Sequence, residues 1–254
     1  MLRPSGVLAI LALSCFTLPC LAWSPRTRVS MVEDAIKLMP KSLRMALEKN
    51  REAVLRGALG PMVTEDAPEH RAPWAEGKLD QQVEAEARGL IDVLSKRTQF
   101  ADLSERFGRL GHYVMDAGFP PGVAGAGGDT RYAHFAEFCE SRLPKFRLVF
   151  YGHEDEAIED DDFVRFAESV MQRARDEDRE LARAYAAAGD PPAASAFDDR
   201  SIPFAVGSLA YSHTVTDIVR AWLAAWRLGG GDVGRTPYLE AAPAKSAAAA
   251  GATR

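Results

Sequence analysis

A chain of 254 residues with 31 Lys and Arg against 36 Asp and Glu carries a formal charge of -5, with no basic block anywhere. Its long-range field gives nucleic acid no general attraction, although a phosphate-cleaving site that draws its positive charge from metal ions stays open. At 47% hydrophobic and 26% charged residues, the composition is that of a globular protein able to build one large core.

The first 22 residues read as a secretory signal. Arg3 is a short positive region, Val7 to Leu18 is an apolar core too short to span a bilayer, and Cys20-Leu21-Ala22 is a small-x-Ala cleavage pattern. An uncleaved anchor is the competing reading of the same run. Cleavage after Ala22 would leave Trp23 as the mature amino terminus of a secreted or periplasmic protein. No later segment reaches about 18 uninterrupted apolar residues, so no transmembrane segment is expected after signal removal. Cys15 and Cys20 leave with the signal, and Cys139 alone allows neither an intramolecular disulfide nor a cysteine-based metal site.

Beyond the signal the periodicity predicts helix after helix. Val29 to Leu38 is short and amphipathic and stops at Pro40; Ser42 is placed to cap the next helix, which runs to a Gly57/Gly60 stop before Pro61. Met62 to Pro73 reads as a loop. Leu79 to Lys96 carries Val83, Ala87, Leu90, Ile91 and Leu94 on one face, and Leu103 to Ala117 follows. After the break "GFPPGVAGAGGD" come helices over Tyr132–Arg142 and Asp161–Ala187, a linker-like Pro191–Asp199, and a closing helix over Ile202–Leu228. No stretch alternates with period two long enough for a strand. The expectation is an all-α multi-helix bundle, one domain over 23–232, followed by a low-complexity tail over 233–254 with disorder from about Pro243.

Five histidines hold most of the chemical interest. His112 and Asp116, four apart on a helix, put imidazole and carboxylate one turn apart on one face, within reach of a single metal ion; a surface ion pair fits the spacing too. His134 lies on the next helix, with Glu137 three residues on. His70 sits in the loop "EDAPEHRAPW" near Asp66, where a solvated histidine is the plain alternative. His153 belongs to an acidic run without calcium-loop geometry, and His213 to an apolar helix where a core role is expected.

In chain order, Trp23, the helix end "GALGP", His70, His112-x-x-x-Asp116, the turn "FPPG" and His134 resemble the zinc-dependent phospholipase C and single-strand nuclease superfamily. The likeness extends to "SLAYSHTVTDIVRAWLAAW" in the last helix. It implies an all-α fold with up to three zinc ions that hydrolyse phosphate esters. It also implies that Trp23 is a ligand through its amine and carbonyl, and that Asp116 bridges two metals.

Several expected ligands are replaced. The early histidine five residues after Trp23 is Arg28, an Asp after Pro61 is Met62 with Asp66 nearby, a turn histidine is Gly122, and an acidic partner of His134 is Phe138. One site keeps His70, His112, Asp116 and Asp66; a second has only His134 and Glu137; a third has Trp23 and Asp116, with Arg28 placing positive charge where a cation would sit.

Two functions follow. One is an exported phosphoesterase with a reduced, mononuclear zinc site acting on phospholipid or another phosphodiester, Asp116 and Arg28 serving catalysis and Arg28 gripping a phosphate oxygen. The other is an inactive helical binding or scaffold protein in which His112 and Asp116 pair and Trp23 packs as a plug. A helical adaptor unrelated to the family is a third.

Overall fold

In a computed structural model the described residues are 22–64, 67–96, 98–124, 130–189, 192–193 and 196–239. Most of the expected signal (1–21), Asp66 and the end of the expected tail (240–254) lie outside them.

The first helix starts earlier than its apolar spacing predicts. Ser24 caps it, its Oγ accepting from the Thr27 N–H at 3.3 Å. Pro25 takes the first helical position, where a missing N–H costs nothing. Helix α1 therefore spans Pro25–Lys37, and Arg28, expected ahead of the helix, sits in its first turn.

The single helix expected after Ser42 is two, α2 (Lys41–Lys49) and α3 (Arg51–Leu59). The break falls at Asn50, whose φ of -110° and ψ of 29° leave the helical region, and whose side chain donates to the Ala46 carbonyl at 2.8 Å beside its own backbone N–H. Ser42 lies inside α2 and donates to the Asp232 carbonyl instead of capping. Three short 3-10 turns, Gly60–Thr64, Pro68–His70 and Pro73–Ala75, overlap the expected loop over Met62–Pro73.

Helices α4 (Leu79–Leu94), α5 (Phe100–Ala117), a single turn α6 (Pro120–Val123), α7 (Thr130–Arg142), a second short turn α8 (Glu156–Glu159), α9 (Phe163–Ala188) and α10 (Ile202–Leu228) complete the fold. There is no strand among the described residues, and the all-α expectation holds. None of the described helices is long and apolar enough to cross a membrane.

Helix α10 is apolar nearly all round, the pattern of a helix buried in a core. Val215, Ile218, Val219, Trp222 and Ala225 are fully buried, and the helix packs against α9, α5, α1 and α4. Helices α3 and α5 approach backbone to backbone. A Cβ on Gly57 would lie 1.9 Å from the Glu105 carbonyl oxygen, and one on Gly108 would lie 2.0 Å from that of Val54. This close crossing brings the last turn of α3 against the half of α5 that carries His112 and Asp116.

Residues 233–239, expected as tail, continue against the fold. His153 Nε2 lies 2.7 Å from the Pro237 carbonyl, and the Tyr238 ring packs 5.7 Å from Phe150.

Candidate metal centre

Helix α5 carries His112 and Asp116 one turn apart on its buried face, as their spacing predicts. His70 reaches them from the 3-10 turn after Thr64. The ligand atoms of the three residues all lie within 4.8 Å of one another. His70 Nδ1 is 2.7 Å from Asp116 Oδ2, His112 Nε2 is 3.2 Å from the same oxygen, and the two imidazole nitrogens are 3.3 Å apart.

Around a tetrahedral zinc with bonds near 2.0–2.1 Å, neighbouring ligand atoms lie about 3.3 Å apart. Two of the three separations match that figure, and the third is a hydrogen-bond distance. Two imidazoles and one carboxylate are also the donor set of a catalytic zinc, which leaves one coordination position open. The residues present fit the metal.

Each ligand is held from behind. His112 Nδ1 lies 2.8 Å from the Ala58 carbonyl at the end of α3, which fixes the proton on Nδ1 and turns the Nε2 lone pair toward the cluster. His70 Nε2 lies 3.5 Å from Thr64 Oγ1. The Tyr113 ring packs 5.1 Å from both His70 and His112. Sequence reasoning missed Ala58 and Tyr113. A backbone carbonyl leaves no mark in side-chain patterns, and a tyrosine next to a histidine carries no spacing signal of its own.

Arg28 enters the cluster from α1 and is fully buried. Its Nη2 donates to Asp116 Oδ1 at 2.5 Å, its Nε donates to the Trp23 carbonyl at 3.0 Å, and its Nη1 lies 3.4 Å from the His112 carbonyl. Asp116 therefore divides its carboxylate: Oδ2 faces the two imidazoles and Oδ1 faces the guanidinium. Burial pushes the Asp116 carboxyl up, but the His112 imidazole and the Arg28 guanidinium beside it more than offset that. The group is held well below the usual carboxylate range. Burial pushes the His112 imidazole down, favouring its neutral, ligating form.

The remaining expected ligands are placed differently. Trp23 is fully buried, its indole packed 5.0 Å from Phe119 and 6.4 Å from Phe135, and its carbonyl is taken by Arg28. His134 lies outside the cluster: its Nδ1 bonds the Tyr185 hydroxyl at 2.7 Å and its ring packs on Phe197, while Glu137 is exposed. His213 pairs with Glu177 at 2.8 Å. Asp66 lies outside the described residues.

No protein-family model matches the sequence, and no curated protein does. Solved structures do. The alpha-toxin of Clostridium perfringens from avian strain SWCP superposes with a TM-score of 0.59 at 13% identity, covering 85% of this chain and 66% of the toxin. The alpha toxin of Clostridium absonum superposes with a TM-score of 0.55 at 15% identity, covering 88% of this chain and 67% of that one. The chain has the alpha-toxin helical fold. It spans about two thirds of the length of either toxin.

Proposed function

We propose that the chain is an exported phospholipase C-like hydrolase that cleaves phospholipid head groups or a related phosphodiester at a mononuclear zinc site. The convergence of His70 Nδ1, His112 Nε2 and Asp116 Oδ2 carries this reading, and the alpha-toxin fold supports it. Asp66, a further ligand expected from the sequence, lies outside the described residues. Bound zinc supplies a Lewis acid for a phosphoryl oxygen and a water acidified toward neutral pH. Export rests on the signal-like residues 1–22.

The chain's own groups prepare the site. The Ala58 carbonyl holds His112 in the tautomer that ligates through Nε2. Arg28 keeps Asp116 ionised, so the carboxylate is ready as a ligand without losing a proton first. Arg28 acts through Asp116: a fully buried guanidinium is not placed to grip a phosphate oxygen, so in this reading it is a positioning residue.

A second reading is an inactive binding or scaffold protein that keeps the fold. The near closure of the cluster favours it, because the His112, Asp116 and His70 side chains are only 0%, 3% and 4% exposed. Turnover of phosphatidylcholine vesicles and of a chromogenic phosphodiester by purified protein with zinc separates the two. The hydrolase reading expects turnover that stops on chelation and in Asp116→Asn. Loss of that ligand should weaken zinc by more than about a hundredfold, since losing even an outer partner costs 10–100-fold. Bound zinc with no turnover on either substrate would refute it in favour of the scaffold.

A further inference from the structure

The surroundings of the Arg28 guanidinium are those of a cation site. It lies in a fully buried space where, among the described residues, its acceptors include three oxygens: Asp116 Oδ1 at 2.5 Å, the Trp23 carbonyl at 3.0 Å and the His112 carbonyl at 3.4 Å. A carboxylate and backbone carbonyls are the donors that hard cations select. The nearby His112 Nδ1, at 3.2 Å, adds no acceptor, because its proton is committed to the Ala58 carbonyl. Asp116 thus faces two positions: Oδ2 serves the imidazole pair, and Oδ1 serves a charge that the chain carries with it.

We propose that Arg28 is a tethered cation filling a second cation position beside the His70–His112–Asp116 cluster, and that it limits the centre to one metal ion. A guanidinium keeps its charge at any pH a protein survives and cannot leave, so the oxygens around it stay satisfied whether or not metal is present. Two cations so close in a water-poor interior repel strongly, which closes this position to metal while Arg28 is in place. The limit of one ion rests on the zinc reading above; the occupation of an oxygen-lined cation position does not.

Excising the side chain should expose the position. In zinc-free buffer, Arg28→Ala should melt lower than wild type. It should recover several degrees with low-millimolar guanidinium chloride and none with the same concentration of urea, which has the shape without the charge; wild type should gain from neither. Metal per chain, measured by atomic emission after gel filtration from buffer holding zinc and manganese, should be one for wild type and two for Arg28→Ala, whose all-oxygen position suits the harder manganese. Arg28→His, which offers a neutral nitrogen beside Asp116 Oδ1 and a smaller side chain, should also bind two and carries the test if Arg28→Ala does not fold.

A metal count in Arg28→His equal to that of a one-metal wild type overturns the proposal. So does a folded Arg28→Ala that gains no more from guanidinium than from urea. A wild type that binds no zinc, with Arg28→Ala rescued by guanidinium, overturns the zinc reading and upholds the tethered cation.

Discussion

Arg28 and Asp116 form a buried ion pair, and the energetics of such pairs are asymmetric. Assembling one gains little over apolar packing, whereas removing one partner strands the other charge. Arg28→Ala should therefore lower unfolding stability by about 3–5 kcal/mol in urea titrations without metal; a loss under about 1 kcal/mol would mean that water already reaches the Asp116 carboxylate. Two buried groups, His112 and Asp116, sharpen the acid response. His112 has its folded pKa lowered by burial, so below about pH 6.5 the unfolded chain takes up the proton first and stability falls as pH falls. Asp116 has its folded pKa depressed, so its contribution is present above the ordinary carboxylate value and is lost only in stronger acid, as pH drops toward the folded value. Urea midpoints of chelated protein should thus decline from about pH 6.5 downward, and His112→Gln should flatten the upper part of that decline. The helical spacing of His112 and Asp116 made their shared face legible in the sequence. The burial of Arg28 was not, because arginine in the first turn of an amphipathic helix ordinarily reaches solvent.

Helices α3 and α5 set the distance between the Ala58 carbonyl and His112, and glycine at the crossing permits it. Gly108→Ala places a methyl group 2.0 Å from the Val54 carbonyl, a clash with backbone that only separation of the helices relieves. The expected cost is about 1–3 kcal/mol of stability. Zinc affinity should fall with it, because the carbonyl that orients His112 moves away. Calorimetric zinc titration of the variant checks this, and an affinity equal to wild type would detach the crossing from the site. Most helices were legible from apolar periodicity, since the buried stripes of α4, α5 and α9 repeat at helical spacing. The break at Asn50 and the early start at Ser24-Pro25 were not, because each depends on one capping or competing side chain that leaves the hydrophobic pattern unchanged. His134 shows the converse: it lies on a predicted helix in suggestive order, yet its partner is Tyr185, 51 residues on, a contact only the tertiary packing creates.

Across the whole molecule, the cluster joins three segments far apart in sequence: α1 through Arg28, the 3-10 turn of His70, and α5. An ion held there links folding to metal concentration. Saturating zinc should raise the unfolding free energy by about 2.7 kcal/mol at one hundred times the dissociation constant, with no such gain in His70→Ala. Differential scanning calorimetry with and without chelator measures it, and equal melting temperatures would remove the coupling. The alpha-toxin fold was legible from the order of the pieces along the chain, while the number of cation positions was not, because it depends on where one guanidinium points. Zinc-edge anomalous diffraction from crystals of the full chain grown with zinc locates the metal directly. One peak per chain, bonded to His70 Nδ1, His112 Nε2 and Asp116 Oδ2 with Arg28 still on Asp116 Oδ1, is the expected result; no peak there, or a peak in place of the Arg28 guanidinium, would contradict it.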